Sequence, residues 1–379
     1  MKKILFILPS LVVGGLERVQ VSIANALAEK GYDVTVMLLN PQKDLASDLN
    51  SRVRLVYKPE NPHRVMSKIP YIRHKFYDDG MWERRASAKK LYQYYVGSEK
   101  YDVEIGFFRG LPIKIISGST NQQAVKLAWV HSDFKVCKGV TNNFKDMESV
   151  KAAYAKFDKV VCVSEQSRLS FLDVVGCEDK TCTIYNLLPM KEIVRKAQES
   201  IDLDKRKLTV CAVGRLGKEK GYDRLLSAIA RLNADGLDFD LWLIGDGAER
   251  ESLQKIAREK SLSNVLFLGR QSNPYKYMKQ ADLYICSSHY EGFNLTVAEA
   301  MILGLPIIST SCTGPSEILD GGKYGRLVDK SEDGLYEGLK ELLENSDKLS
   351  YYKEKTKERM NFFDEDRICK EIEGLFENK

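Results

Sequence analysis

Two glutamates, Glu291 and Glu299, lie in a segment made otherwise mostly of apolar and small residues, HYEGFNLTVAEAMILGLPIIST at positions 289–310. A carboxylate buried without a partner is costly, so an apolar segment is expected to keep one only for a purpose. The preceding DLYICSS predicts a strand. A helix is predicted at about 295–303, and its end is predicted from the Gly-x-Pro sequence that follows. Glu291 is therefore placed in a loop and Glu299 within a helix.

The turn between these carboxylates offers groups that attract anions. The backbone N–H groups of Asn294, Leu295 and Thr296 lie at a helix N-terminus, where they have no acceptor within the helix. Amides in the middle with a carboxylate at each side suit a molecule that has a diphosphate between two hydroxyl-rich parts, as a sugar nucleotide does. The alternative is that TVAE, Thr296 to Glu299, is a capping box in which Glu299 only satisfies a backbone donor.

A second group of candidate phosphate ligands is in VGRLGKEKGYDRLLSAI, where a predicted strand ends at Gly214 and Arg215 and Lys220 follow. A guanidinium can bind an oxyanion through two hydrogen bonds, whereas an ammonium acts as a point charge, so the two together suit a diphosphate. The alternative is a solvated charged loop, because Lys218 and Glu219 also lie there.

The first half of the chain has weaker signals. Gly14 and Gly15 follow the first predicted strand and precede a helix, so their backbone could approach an anion, although such a glycine pair is often only a turn. His131 and Asp133 follow the apolar run VKLAWV, which places them at the carboxyl edge of a sheet. His131 could equally be a structural histidine, and Asp133 could orient its ring or contact an acceptor.

Short apolar strands alternate with helical patterns along both halves of the chain. The strands predicted in the first half are KKILFILPS, YDVTVMLLN, YDVEIGFF, VKLAWV, DKVVCVS and CTIYN. Those predicted in the second half are LTVCAVG, DLWLIG, VLFLG, DLYICSS, PIIST and YGRLV. Repeated βα alternation is typical of parallel sheets covered by helices on both faces, so the predicted class is α/β with two Rossmann-like domains.

We predict a first domain at residues 1–188, a second at 189–359, and a C-terminal helix at about 360–379 that packs back on the first domain. The two parallel sheets are expected to face a central cleft, because ligands bind at the carboxyl ends of parallel strands.

The composition indicates a cytoplasmic globular protein without a metal or other cofactor. The eight cysteines include no CxxC pair, and the four histidines show no metal-ligand spacing with them, so we predict reduced thiols and no metal site. No apolar run approaches the roughly 20 residues of a membrane-spanning helix.

Four stretches together resemble the retaining nucleotide-sugar glycosyltransferases of family 4, of the bacterial cell-surface polysaccharide type, which have the two-domain GT-B architecture. The stretches are GGLER, GRLGKEKG, GDGAER and EGFNLTVAEAMILGLPII, of which the last has the family's E-x7-E signature. The resemblance implies retaining, metal-independent transfer of a hexosyl group from a nucleoside diphosphate sugar, with uridine as the expected base. The implied acceptor is a hydroxyl of a glycan or of a sugar linked to a polyprenyl or other lipid.

The resemblance also implies roles for individual residues. Glu291 would hold hydroxyls of the transferred sugar, Glu299 would hold the ribose, and Arg215 and Lys220 would hold the diphosphate. The implied catalytic residues are Glu291, His131, Arg215 and Lys220. The implied acceptor-binding residues are Gly14, His131 and Asp133. The implied donor-binding residues are Gly15, Arg215, Lys220, Arg270, Gln271, Glu291, Gly292, Phe293, Asn294, Leu295, Thr296 and Glu299.

One position departs from the family pattern. Where many relatives have a second glycine after EGF, this chain has Asn294, which can cap the helix, tolerate unusual backbone angles and add a contact to the sugar. Two other functions remain open from the sequence. A sugar-nucleotide epimerase of the same architecture would lack these paired motifs, and a non-catalytic transferase-like subunit would be expected to have lost some of the charged residues.

The basic charge of the chain is uneven. Residues 1–190 have 28 Lys and Arg against 20 Asp and Glu, and much of the excess lies in residues 61–95, interleaved with aromatic residues. Basic side chains attract anionic headgroups and aromatic rings favour the interface, so this segment could dock the first domain on the cytoplasmic face of an anionic membrane. Nucleic acid is not an expected partner. The alternative is a pair of solvated helices whose aromatic residues pack inward.

Overall fold

The computed structural model describes residues 1–57, 81–137, 139–205 and 207–377. Residue contacts divide the chain into two compact units. Unit 1 is Met1–Leu187 with Asp366–Lys379, and unit 2 is Leu188–Glu365. Part of the proposed membrane-docking segment, residues 61–80, lies outside the described residues.

Unit 1 contains a parallel sheet whose seven described strands have the order β3-β2-β1-β4-β5-β6-β7. The strands are β1 Lys3–Leu8, β2 Asp33–Leu38, β3 Arg54–Tyr57, β4 Val103–Gly106, β5 Val125–Val130, β6 Lys159–Cys162 and β7 Thr181–Thr183. The helices are α1 Gly15–Glu29, α2 Met81–Arg85, α3 Ala88–Tyr95, α4 Leu111–Ile116, α5 Met147–Tyr154 and α6 Glu165–Val174. Five consecutive residues of β1 and of β2 are buried, as expected for strands covered on both faces.

Unit 2 contains a second parallel sheet, whose described strands have the order β10-β9-β8-β11-β12-β13. The strands are β8 Leu208–Val213, β9 Phe239–Ile244, β10 Val265–Gly269, β11 Leu283–Cys286, β12 Ile307–Thr310 and β13 Arg326–Val328. The helices are α7 Met190–Ala197, α8 Tyr222–Ala234, α9 Arg250–Glu259, α10 Tyr275–Gln280, α11 Leu295–Ile302, α12 Thr313–Ile318, α13 Glu332–Glu344 and α14 Ser346–Arg359.

The last helix, α15 Glu365–Gly374, packs on unit 1. The carboxylate of Glu373 accepts hydrogen bonds from Lys30 Nζ at 2.9 Å and from the Tyr32 hydroxyl at 3.1 Å. Phe376, just beyond the helix, makes an edge contact with the Tyr32 ring.

Each sheet has a point at which the strand order reverses, between β1 and β4 in unit 1 and between β8 and β11 in unit 2. Ligands of open parallel sheets bind outside the carboxyl ends of the strands at such a point. The prediction of an α/β fold with two Rossmann-like parallel sheets is therefore confirmed. The loops that follow β8 and β11 are the ones that contain the predicted diphosphate ligands.

Helices α2 and α3 belong to the segment proposed to dock on a membrane. Tyr92 and Tyr95 are buried in the core of unit 1. The Trp82 and Tyr94 rings make an edge contact, with their centroids 5.2 Å apart. The described aromatic residues therefore follow the inward-packing alternative, while four basic residues are exposed: Arg84, Arg85, Lys89 and Lys90. No helix of the described chain combines the length and the apolar run needed to cross a bilayer.

Candidate active site

A partly buried ion pair lies at the strand-order reversal of unit 2. Lys220 Nζ donates to Glu291 Oε1 at 2.7 Å, and the Ser288 hydroxyl donates to the same oxygen at 2.7 Å. The two charged side chains are only 19% and 15% exposed. Burial alone would lower the pKa of Lys220, but the neighbouring Glu291 carboxylate outweighs it and the pKa is raised. The ammonium and the carboxylate therefore face each other as a charged pair.

Three hydrogen bonds join the loop after β8 and the first turn of α8 to the loop after β11. The Ser287 hydroxyl donates to the Lys220 carbonyl at 2.7 Å, and the His289 amide donates to the Glu219 carbonyl at 2.8 Å. Arg224, in the first turn of α8, donates from Nη2 to the Ser287 carbonyl at 2.8 Å. These bonds fix Lys220 relative to the strand end that precedes Glu291, although the two residues are far apart in sequence.

The turn after β9 is hydrogen-bonded to the loop that contains Arg215 and supports it. The Leu216 amide donates to the Asp246 carbonyl at 2.9 Å, and the Glu249 amide donates to the Leu216 carbonyl at 2.9 Å. A Cβ added at Gly247 would lie 2.5 Å from the Leu216 carbonyl oxygen, and one added at Gly245 would overlap the backbone of the β8 loop. No role for either glycine was predicted from the sequence. Their G-x-G spacing directly after a strand is the signal that marks such a close backbone approach.

Arg215 lies on the same loop but contacts a different carboxylate from Lys220. Its Nη2 donates to Glu219 Oε1 at 2.7 Å and its Nε donates to the same oxygen at 3.2 Å. The Arg215 side chain is 75% exposed, so it is free to turn toward a ligand. The structure thus brings Lys220 and Glu291 together, a pairing that their separate motifs did not predict, and places Arg215 in a different pair with Glu219.

Asn294 caps helix α11 in a left-handed backbone conformation with φ of 69°. Its Oδ1 accepts hydrogen bonds from the Val297 amide at 3.1 Å and the Thr296 hydroxyl at 2.8 Å, and its Nδ2 donates to Cys286 Sγ at 3.1 Å. The predicted capping role is confirmed. Both Oδ1 and Nδ2 of Asn294 are hydrogen-bonded within the protein. We therefore expect Asn294 to contact a bound nucleotide sugar through its backbone.

Glu299 is buried within α11, where the Tyr275 hydroxyl donates to its Oε1 at 3.0 Å. The capping-box alternative for TVAE is wrong, because the residue that caps the helix is Asn294 and not Thr296. The first amides of α11, including those of Leu295 and Thr296, point out of the helix N-terminus beside the Lys220–Glu291 pair, where they favour an anion.

The remaining predicted donor-binding residues of unit 2 lie on neighbouring loops. Arg270 and Gln271 directly follow β10, and the Gln271 side chain donates to the Leu268 carbonyl at 2.7 Å. Gly292 and Phe293 lie between Glu291 and the α11 cap, with the Phe293 ring buried. All four are therefore at the carboxyl edge of the same sheet as Lys220.

The predicted residues of unit 1 lie at the carboxyl edge of its own sheet. Gly14 is the N-cap of α1 and Gly15 is its first residue, and residues 9–13 connect β1 to them. Glu17 folds back over Gly14, and burial raises the pKa of its carboxyl against the lowering effect of its own backbone N–H. A carboxylate at this helix N-terminus occupies the position at which an anion would otherwise be favoured.

His131 follows β5 and is oriented by a backbone carbonyl rather than by Asp133. Its Nε2 lies 3.0 Å from the Phe107 carbonyl oxygen, so that nitrogen carries the proton, while Nδ1 is shielded and has no hydrogen-bond partner among the described residues. Burial lowers the pKa of His131 to about 3. Asp133 instead accepts hydrogen bonds from the Lys135 amide and the Ser170 hydroxyl, which hold the loop on α6.

The neutral state of His131 predicts a pH effect on stability. Its pKa is about 3 in the folded state and near 6.5 in the unfolded state, so between these values only the unfolded chain binds the proton. The contribution of His131 to stability is therefore present above pH 6.5 and lost as the pH falls. Urea unfolding at pH 7 and pH 5 should show a larger loss of stability for wild type than for His131→Gln. An equal loss in both proteins would contradict a neutral buried histidine.

Comparison with known proteins decides the family. The model described as Glycosyltransferase Family 4 matches residues 13–190, and the model described as Glycosyl transferases group 1 matches residues 194–359. The chain belongs to the family 4 type of GT-B glycosyltransferases. The two matches cover residues 13–359 except for 191–193, and all four stretches that resemble the family lie within them.

Individual relatives agree with this family. One is the N-acetylgalactosamine-N,N'-diacetylbacillosaminyl-diphospho-undecaprenol 4-alpha-N-acetylgalactosaminyltransferase of Campylobacter jejuni, which is 30% identical over 61% of this chain and 64% of its own length. An uncharacterized glycosyltransferase of Haemophilus influenzae is 25% identical over 99% of this chain and 100% of its own length. Among solved structures, Anabaena HepE in complex with UDP and glucose superposes with a TM-score of 0.77, at 18% identity, over 100% of both chains.

Proposed function

We propose that this glycosyltransferase moves a sugar from a UDP-linked donor to a hydroxyl of a glycan or lipid-linked sugar, in the synthesis of a cell-surface polysaccharide or glycolipid. The observation that carries the proposal is the Lys220–Glu291 pair, which lies at the strand-order reversal of unit 2 beside the N-terminus of α11. The UDP bound to HepE and the undecaprenyl-diphosphate-linked substrate named for the Campylobacter enzyme support this choice of donor and acceptor.

The charges of the site suit departure of a nucleoside diphosphate. As the bond between the sugar C1 and the diphosphate oxygen breaks, negative charge grows on the diphosphate, where Lys220, Arg215 and the first amides of α11 would stabilise it. Glu291 would hold sugar hydroxyls while its contacts with Lys220 and Ser288 keep its side chain oriented. In retaining transfer the acceptor oxygen bonds to C1 on the face that the diphosphate leaves, and the departing phosphate oxygen takes the acceptor proton.

Other residue roles in the proposal follow the family resemblance. Glu299 would bind the ribose, and Arg270 and Gln271 would contact the base through their backbone. His131, which is neutral, would act as a hydrogen-bonding group rather than as a general base, because burial lowers its pKa far below 7. The acceptor roles of Gly14 and Asp133 belong to the same proposal.

The test of this function is the protection of the folded protein by nucleotide sugars. We expect UDP-linked sugars, in a panel that also contains GDP- and ADP-linked sugars, to raise the unfolding midpoint. A ligand at 100 times its Kd adds about 2.7 kcal/mol of stability, which is easily measured. Lys220→Met should lose this shift, while Lys218→Met, which changes an exposed lysine of the same turn, should keep it. If no nucleotide sugar stabilises the wild-type protein, the proposed donor is wrong.

Metal independence is a separate prediction. Within the described chain, no three or more His, Cys, Asp or Glu side chains are grouped so that they could hold a metal ion. Because cations and amides of the protein would neutralise the diphosphate, transfer should continue at its full rate in excess chelator. Assays with and without EDTA, each followed by addition of magnesium or manganese, measure this directly. Loss of activity in EDTA that either metal restores would overturn the mechanism.

Attachment to an anionic membrane through unit 1 is a further part of the proposal. The exposed cations on α2 and α3 support it, although the described aromatic side chains point into the core. Co-sedimentation should require anionic vesicles and weaken with salt, since each basic residue near the surface contributes about 1 kcal/mol. Binding should fall when Arg84, Lys89 and Lys90 are changed to Glu. The matched control makes the same three charge reversals on unit 2, at Lys255, Arg258 and Lys260. Equal binding to neutral and anionic vesicles would contradict the docking.

A further inference from the structure

The site of unit 2 contains two cations and two carboxylates in close contact. Lys220 pairs with Glu291 across the two loops, and Arg215 pairs with Glu219 within one loop. Each cation that would bind the diphosphate is therefore already bound to a carboxylate of the protein. Glu291 has a role with the sugar in the proposed reaction, whereas that reaction gives Glu219 none.

The Glu219 carboxylate is the fixed member of its pair. It is 21% exposed, against 75% for Arg215, and it lies directly over Gly217, where an added Cβ would overlap it. Burial raises the pKa of Glu219, but hydrogen bonds from its own backbone N–H and from Arg215 outweigh burial and lower it overall. The backbone of Glu219 is fixed as well, because its carbonyl accepts the bond from the His289 amide. Glu219 is thus an ionised acceptor held in place beside the site.

The Arg215–Glu219 contact uses one edge of the guanidinium that can bind an oxyanion through two hydrogen bonds. Nε and Nη2 both donate to one carboxylate oxygen, so the two parallel N–H groups of that edge are engaged. A phosphate that binds Arg215 through two parallel hydrogen bonds needs such an edge. Arg215 must therefore leave Glu219 before this edge can bind a diphosphate.

We propose that Glu219 competes with the diphosphate for Arg215 and thereby sets how tightly the nucleoside diphosphate is held and how readily the product leaves. The inference rests on the proposed function, because it concerns the affinity for the same donor group. The direction of the change in nucleotide affinity distinguishes this role from a structural one. Removing a structural support of Arg215 would weaken binding of the nucleotide. Removing a competitor for Arg215 would strengthen it.

The size of the effect follows from the exposure of the pair. Exposed ion pairs contribute roughly 0.2–1 kcal/mol, which corresponds to about a 1.4- to 5-fold change in affinity. Glu219→Gln keeps the shape of the side chain and removes the charge, so we expect the Kd for UDP to fall by about two- to fivefold. The constant for product inhibition by UDP should fall by the same factor, and the difference from wild type should shrink at high salt.

Calorimetric titration of UDP into four variants tests the inference. Glu219→Gln and Glu219→Ala should both bind UDP more tightly than wild type, so that either variant decides the result if the other does not fold. Arg215→Met should bind more weakly. In the Arg215→Met background, Glu219→Gln should have no further effect, because the competition acts through Arg215. The matched control is Glu371→Gln on α15. Glu371 Oε1 lies 2.6 Å from Arg367 Nη1 in a similar i,i+4 ion pair. Removing this carboxylate should leave the Kd for UDP unchanged.

Two outcomes would overturn the inference in different ways. If wild type binds UDP but both Glu219 variants bind it equally or more weakly, Glu219 does not compete with the diphosphate, while the proposed donor still stands. If wild type does not bind UDP, the proposed donor is wrong and the inference is wrong with it.

Discussion

Lys220→Met is expected to lower kcat for sugar transfer by about 10²–10³-fold while the protein stays folded. Removing one preorganised group that stabilises growing charge in a transition state typically has this effect. Lys220 is the cation most firmly fixed at the site, since it is held 2.7 Å from Glu291 and its carbonyl accepts the Ser287 hydroxyl bond. Glu291→Gln should also lower kcat strongly, because it removes the charge while keeping an oxygen that can accept the Ser288 bond. Initial rates with the UDP-sugar identified by thermal protection measure both effects.

The control for this experiment is Lys218→Met. Lys218 lies on the same turn as Lys220 but is exposed and has no role in the proposed site. It should leave the rate unchanged, and the melting temperatures of all variants show whether each one folds. Turnover at the wild-type rate in a folded Lys220→Met protein would remove this lysine from the mechanism.

Gly247→Ala should have the second largest effect, on both activity and stability. The added Cβ would lie 2.5 Å from the Leu216 carbonyl oxygen and 2.8 Å from the Leu216 nitrogen, so the backbone beside Arg215 must move. Overpacking of this kind typically costs about 1–3 kcal/mol. We expect the midpoint of urea unfolding to fall and the Kd for UDP to rise, because the displaced loop contains two of the diphosphate ligands.

Gly374→Ala is the matched control, because a Cβ at Gly374 would meet nothing within 4 Å. This variant should have wild-type stability and UDP affinity. If Gly247→Ala also behaves as wild type, the turn after β9 does not support the loop after β8 as described.

The sequence predicted all six strands of the second sheet, because each is a compact apolar run followed by a turn. It missed β3 in the first sheet, whose four residues RLVY begin with an exposed arginine and are otherwise half-buried. Its short length and mixed burial leave little signal of an edge strand. Local sequence patterns also do not predict the order of the strands in each sheet, because that order is set by how the helical connections cross from one strand to the next.

The same limit explains what the sequence could and could not show about the site. Lys220 and Glu291 were each predicted from their own motifs, but their pairing depends on β8 and β11 being neighbours in the sheet. Glu219 favoured the interpretation of a solvated loop, whereas the structure places its carboxylate on Arg215. The role of Gly247 depends on a backbone contact between two loops, which no single motif encodes.

A crystal structure of the protein with UDP would show directly whether a nucleoside diphosphate binds at the strand-order reversal of unit 2. The predicted result is a diphosphate within hydrogen-bond distance of Lys220 Nζ and of the first amides of α11, with Arg215 in contact with a phosphate oxygen. UDP bound away from the carboxyl ends of β8 and β11, with Lys220 making no contact to phosphate, would contradict it.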